Sequence, residues 1–146
     1  MMLDFTVNHS SVADIETHLK RCADGFFPPL YERIDIRVYA AKIKEFAVLC
    51  EAWEGGELIG LVAGYCNDSG GQKSFISNVS VVRKCQGRGL AKTLLNKFCV
   101  IAAQKGFTTV ALKVDTRNTK AKTVYEKSGF MCKEVCGSDL NMTRCL

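Results

Sequence analysis

The stretch VSVVRKCQGRGLAKTLL, residues 79–95, decides how this chain is read. Its first residues are apolar and small in turn, the habit of a strand. Its last ones put Leu90, Leu94 and Leu95, with Phe98 beyond them, on one helical stripe. Between the two lies a basic turn. Gly87 and Gly89 lack Cβ atoms, so they accept positive φ and let backbone N–H groups approach a ligand closely. The helix that follows leaves its first N–H groups unpaired at the positive end of its dipole. A strand, turn and helix so joined form an anion site, and Arg83, Lys84 and Arg88 add charge beside it.

Spacing excludes two familiar phosphate loops. A dinucleotide fingerprint needs a third small residue three places after its second glycine, and Lys92 stands there. GGQKS, residues 70–74, sets Gln72 between glycine and lysine and precedes no helical pattern, so it reads as a polar loop.

What remains is Gln86, Gly89 and Ala91 in the pattern Gln-x-x-Gly-x-Ala, preceded by Val79, Ser80 and Val81. This resembles the acyl-CoA pyrophosphate signature of the GNAT N-acetyltransferase family in its glutamine form, with Arg83 where that family often has proline. A second stretch, NTKAKTVYEKSGF, residues 118–130, resembles the family's Asn-x-x-Ala-x-x-x-Tyr-x-x-x-Gly-Phe signature at every named position. Helical spacing puts Asn118, Ala121 and Tyr125 on one face over two turns. Gly129 follows as the left-handed cap, and Phe130 opens the next strand.

The resemblance implies a fold, a cosubstrate and a site. The fold is α/β (α+β): a single mixed, mostly antiparallel sheet flanked by about four helices and splayed between its fourth and fifth strands so that pantetheine can enter, with residues 1–146 forming one domain. The cosubstrate is acetyl-CoA, held by Val79, Val81, Gln86, Gly87, Arg88, Gly89, Leu90, Ala91, Asn118, Ala121 and Tyr125. Tyr125 is implied as the catalytic proton donor to the leaving thiolate, and the backbone N–H of Val81 as the group that polarises the oxyanion. Many relatives carry a glutamate base on the fourth strand. Here FISNVSV, residues 75–81, holds Ser77 and Asn78 instead, which leaves ordered water, Asp68, Glu51 or an amine that arrives neutral.

The remaining elements follow from pattern. Residues 3–7 read as a strand. Ser11 with Asp14 opens a helix carrying Val12, Ile15, Leu19 and Cys22 on one face and ending near Gly25. FFPPL, residues 26–30, is a loop, and residues 35–46 return to helical period through Ile36, Tyr39, Ile43 and Phe46. Residues 47–53 and 58–66 form a hairpin about Gly55 and Gly56. Strands at 75–82 and 109–114, helices at 89–105 and 118–128, and a last hairpin of 130–135 with 140–145 complete the order.

Composition bounds the class. With 146 residues, 47% hydrophobic and 24% charged, the chain suits one soluble enzyme domain, and it has no apolar run long enough to span a bilayer and no signal-peptide pattern, so a cytoplasmic setting without a membrane partner is expected. The eight cysteines fall mostly on apolar faces, form no Cys-x-x-Cys pair and meet only two histidines, His9 and His18, so free thiols and no metal site are expected. Cys85, between Lys84 and Gln86 near a helix N-terminus, is the one thiol whose setting favours reaction, but a catalytic cysteine also needs a base and neither histidine is in a pairing context, so nucleophilic catalysis by it is disfavoured.

Charge is split along the chain. Residues 1–70 hold 6 Lys and Arg against 11 Asp and Glu, and residues 71–146 hold 14 against 4. The basic half carries both signatures, as a phosphate-rich cofactor requires, and the acidic half would face a cationic acceptor. Nucleic acid is disfavoured, since the cations follow helix starts without aromatic interleaving.

The acceptor is read as a primary amine of a small molecule. FFPPL and GYCND, residues 64–68, should border its cleft, and Phe26, Phe27 and Tyr31 suggest a closed pocket. The same stretches bear a short resemblance to acetyltransferases of bacterial surface-polysaccharide pathways, which implies an amino sugar. A protein acetyltransferase acting on lysine or an N-terminus is the alternative. A non-catalytic CoA-binding module is the third reading, and the tyrosine argues against it. A homodimer remains open.

Overall fold

Two polar caps set the N-terminal helices. Ser11 Oγ accepts the Asp14 N–H while the Asp14 carboxylate accepts the Ser11 N–H, a reciprocal box at the start of α1 (Val12–Cys22). Asp35 caps α2 (Ile36–Phe46) through the Val38 N–H. The computed structural model describes residues 2–26, 29–68, 70 and 72–146, so Phe27 and Pro28 of the FFPPL loop and Gly71 of the GGQKS loop lie outside the described residues.

Seven strands form one mixed sheet: β1 (Leu3–Val7), β2 (Val48–Glu54), β3 (Glu57–Tyr65), β4 (Lys73–Val81), β5 (Thr109–Asp115), β6 (Met131–Cys136) and β7 (Asp139–Cys145), in the order β1-β2-β3-β4-β5-β7-β6. Every neighbouring pair is antiparallel except β4 with β5. Gly55 and Gly56 turn the β2–β3 hairpin with φ of +60° and +78°. Two more helices follow, α3 (Leu90–Gln104) and α4 (Thr119–Lys127).

The helices divide the core between the two faces. α1 and α2 bury Ile15, Leu19 and Ile43 against Leu49, Leu61 and Ala63. On the other face α3 brings Leu94 and Phe98 against Val62 and Ile76. A Cβ on Gly64 would lie 2.4 Å from the Phe98 ring, so α3 sits closer to β3 than any side chain at that position permits.

The splay has a local cause. β4 and β5 pair only through Lys73 with Thr109, Ser74 with Val110 and Phe75 with Ala111. Just beyond, Ile76 faces Gly64 and Asn78 faces Ala63, so Ser77 is an extra residue in β4. A bulge bends its strand and raises the local twist, and here it does so where the ladder to β5 stops.

Several sequence expectations shift. β4 starts at Lys73 rather than Phe75, absorbing the end of the polar loop. Phe130 is a buried turn residue and β6 begins at Met131. Phe46, expected on the apolar stripe of α2, is 57% exposed in the last turn, while Ala40 takes the inward position. All eight cysteines are free, yet Cys132 and Cys136 are exposed rather than on covered faces, because β6 is an edge strand exposed at every position, and Cys145 is exposed at the last residue of β7.

Candidate active site

The open side of β4 presents backbone donors. Val82 N–H donates to Ile59 O at 2.9 Å, which fixes the phase of the β3–β4 ladder: Ser80 and Asn78 bond toward β3, while Val79 and Val81 turn their N–H and C=O groups away from it. On that side β5 has already diverged. The Val81 carbonyl is taken by Gln86 Nε2 at 3.1 Å, and the N–H groups of Val79 and Val81 face the gap.

At the mouth of the gap stands the glycine turn. Gly87 and Gly89 have φ of +86° and +77°, and a Cβ on either would meet open space, so it is conformation that demands glycine there. Gly89 caps α3 without a side-chain partner, and the first helical bond runs from Thr93 N–H to Gly89 O at 3.1 Å. The N–H groups of Leu90, Ala91 and Lys92 are thereby left for an anion. Arg83 and Lys84 are exposed beside it. Arg88 is engaged elsewhere, its Nη1 lying 2.9 Å from Glu54 Oε2 at the end of β2. Cys85 is fully buried in the core, so the expectation of a reactive thiol fails.

α4 forms the opposite wall. Lys120 Nζ donates to Gln86 Oε1 at 2.7 Å, so Gln86 links β4 to α4 across the mouth. Asn118 Oδ1 caps the helix by accepting the Ala121 N–H at 3.1 Å. Tyr125 lies one turn beyond Ala121, 8% exposed, and burial pushes its phenol up to about 12. Phe130 N–H bonds Tyr125 O at 3.0 Å and Gly129 N–H bonds Glu126 O at 3.1 Å, with Gly129 at φ +90°. This is a Schellman ending, and its apolar contact is the edge-on pairing of the Tyr125 and Phe130 rings at 6.3 Å. Tyr125, Leu90, Val79, Val81 and Ala121 all join one core cluster, so residues far apart in sequence converge on the two walls of the gap.

On the α1–α2 face the bulge is lined by hydroxyls. The Tyr39 hydroxyl hydrogen-bonds Ser77 Oγ, and the Tyr65 hydroxyl, sealed from solvent, is turned toward the same serine without a hydrogen bond of full geometry. Burial pushes the Tyr39 phenol up to about 12. The charges acting on these rings are cations: Arg33 on Tyr39, and Lys42, whose Nζ is 5.8 Å from the Tyr65 ring centre. Neither proposed carboxylate base stands there. Glu51 is fully buried on β2, where it accepts from Thr6 Oγ1, the His9 and Ser10 N–H groups and Ser10 Oγ, tying the loop after β1 to the sheet. Asp68 is held below the usual carboxylate range by the N–H groups of Gly70 and Lys73. Tyr31 is 58% exposed rather than part of a closed pocket, and Phe26 is half-buried between both core clusters.

The family model described as "Acetyltransferase (GNAT) family" matches residues 12–130. The chain belongs to this acetyltransferase family. Solved GNAT-fold structures align over nearly the whole chain. The PaiA N-acetyltransferase of Thermoplasma acidophilum in complex with coenzyme A is 20% identical over 100% of both chains, with a TM-score of 0.78. An aminoglycoside 6'-acetyltransferase of type Ii is 16% identical over 99% of this chain and 97% of its own, with a TM-score of 0.79. The ribosomal-protein-S18-alanine N-acetyltransferase of Escherichia coli is 16% identical over 99% and 94%, with a TM-score of 0.78. No curated protein matches the sequence.

Within this GNAT domain, sequence reasoning passed over His18. It is 1% exposed on α1, with Nδ1 3.0 Å from Leu58 O and Nε2 2.8 Å from Ser80 Oγ, and Ser80 Oγ donates to Asn78 Oδ1 at 2.8 Å. The signal available was its place on the buried stripe of α1, a polar residue where the period calls for an apolar one.

Proposed function

We propose that this acetyltransferase carries an acetyl group from acetyl-CoA to the primary amine of a small molecule by direct attack. The observation that carries the reading is the pair of free N–H groups at Val79 and Val81, facing a gap whose mouth is an unfilled helix N-terminus. A pyrophosphate fits the open space over Gly87 and Gly89, and the amide-bearing pantetheine arm fits donors along β4. The amine lone pair bonds the thioester carbonyl carbon, the C–S bond breaks, and the thiolate takes the Tyr125 proton while the surplus amine proton leaves to water, from which Tyr125 is reprotonated. Val81 N–H would stabilise the oxyanion. Asn118 serves here through its cap, which starts α4 and so sets Tyr125.

The small-molecule reading is supported by the compact hydroxyl cluster of Tyr39, Ser77 and Tyr65 beneath α2, which leaves no open groove at the bulge for a peptide backbone. A protein acceptor is the second reading, favoured by the exposure of Tyr31 beside the same helix. Because Arg33 and Lys42, and no carboxylate among the described residues, act on that cluster, the amine enters uncharged. The rate then rises with pH toward the amine's own pKa, about 8 for an α-amino-like group and about 10.4 for lysine. Steady-state kinetics across neutral pH with amino sugars and lysine peptides test this, and faster acetylation of the peptides than of every amino sugar would replace the small-molecule acceptor with a protein.

A further inference from the structure

The last turn of α2 overhangs the end of the β3–β4 ladder and leaves a cavity of about 350 Å³, lined among the described residues by Lys42, Phe46, Tyr65, Asn67 and Phe75. Lys42 and Phe46 are one helical turn apart and share a face of α2. Tyr65 and Phe75 are direct partners in the antiparallel ladder, so their rings stand beside each other on one face of the sheet. Asn67 stands in the loop that leaves β3.

The lining is aromatic with one charge. Phe46 is 57% exposed and Phe75 37% exposed, while the inward positions of α2 are filled by Ile36, Ala40 and Ile43. A single exposed phenylalanine is ordinary, but two that meet a tyrosine ring around one concavity have the make-up of a small-ligand pocket, and the volume lies at the lower end of the range for such pockets. The charge is Lys42, whose Nζ lies 5.8 Å from the Tyr65 ring centre and makes no ion pair among the described residues. Glu45 and Asp68, next in sequence to Phe46 and Asn67, do not line the cavity, and Asp68 is taken by the N–H groups of Gly70 and Lys73.

That lining selects its ligand. A cationic ligand would meet Lys42, and a pure hydrocarbon would strip water from the ammonium and give nothing back. A phosphate calls for several donors, where one ammonium and one side-chain amide are present. We propose that this cavity binds a small aromatic carboxylic acid, its ring among Phe46, Tyr65 and Phe75, its carboxylate on Lys42 Nζ, and the Asn67 amide as a second donor. The site is separate from the acetyl-CoA gap. Phe75 is the last residue of β4 still paired to β5, and Val81, at the mouth of the gap, lies about 20 Å further along the strand at roughly 3.3 Å per residue. The proposal therefore goes beyond acetyl transfer and does not rest on it.

The test uses the full chain and phenylacetate as the probe, with phenylacetamide as its uncharged counterpart and phenethylamine as a cation, followed by calorimetry and by backbone amide shifts. Phenylacetate should bind saturably and move the Phe46, Tyr65, Asn67 and Phe75 amides, with phenylacetamide about tenfold weaker or more and phenethylamine showing no saturable binding. Lys42→Met, at an exposed helix position, should weaken phenylacetate about tenfold and leave phenylacetamide within about twofold, while Phe46→Ala weakens both. Saturating acetyl-CoA should leave the phenylacetate Kd within about twofold. Equal affinity for acid and amide, an unchanged phenylacetate Kd in Lys42→Met, or no saturable binding to the wild type overturns the proposal. Displacement of phenylacetate by acetyl-CoA does so too, since it would make the cavity part of the gap. The acetyltransferase reading stands or falls separately, on whether the protein binds acetyl-CoA and acetylates an amine.

Discussion

Burial raises the Tyr125 phenol to about 12, so it stays protonated through the neutral range and is a weaker acid than a free thiol, giving up its proton only as the leaving sulfur's charge develops against it in the same desolvated gap. Tyr125→Phe keeps the ring contact with Phe130 and removes the proton, and turnover should fall about 10²- to 10⁴-fold with acetyl-CoA affinity little changed. A near-normal rate in stopped or continuous thiol assays would reduce Tyr125 to packing. His18 yields a prediction of a different kind. Its pKa is lowered from 6.5 unfolded to about 4 folded, so between those values the unfolded chain binds the extra proton. Stability is complete above the unfolded pKa and is lost as pH falls through the folded one, by roughly 3 kcal/mol in all. Urea melts at about pH 7 and about pH 4.5 should show this loss, and His18→Leu should flatten it. An undiminished slope in that variant would assign the acid lability to other groups. Tyr125 was legible because its partners lie within five residues. His18 was not, because Leu58 and Ser80 are 40 and 62 residues away.

Among elements, the β4–α3 turn and the end of α4 were readable because their instructions are local. Positive φ selects glycine at 87, 89 and 129, and the Tyr-x-x-x-Gly-Phe spacing is that of a Schellman ending that also packs the tyrosine. The bulge at Ser77 was not readable, since it exists only against β3. The pairing of Arg88 with Glu54 was hidden for the same reason, 34 residues separating the partners. Gly89→Val places a β-branched residue at φ +77° and fills the space kept for phosphate. Acetyl-CoA binding should weaken by about 2 kcal/mol or more. Calorimetry on the folded variant checks this, and retained affinity would move the phosphate elsewhere.

For the molecule as a whole, the two halves of the charge split divide unevenly over the site. The basic half supplies the glycine turn, Lys120 and α4, as the sequence implied. Of the acidic half, Glu51 is consumed inside the sheet, Asp24 and Glu32 act on Tyr31 beside the loop before α2, and Arg33 and Lys42 are the charges acting near the bulge. No helix among the described residues is long and apolar enough to cross a membrane. The central claim is that the gap between β4 and β5 is the acetyl-CoA slot, with the Val79 and Val81 N–H groups as its donors. Amide-resolved hydrogen exchange with and without acetyl-CoA tests it most directly. The account predicts that Val79 and Val81 gain protection on binding while Ser80 and Val82, already bonded to β3, change little; acetyl-CoA binding that leaves the Val79 and Val81 amides exchanging as before would contradict it.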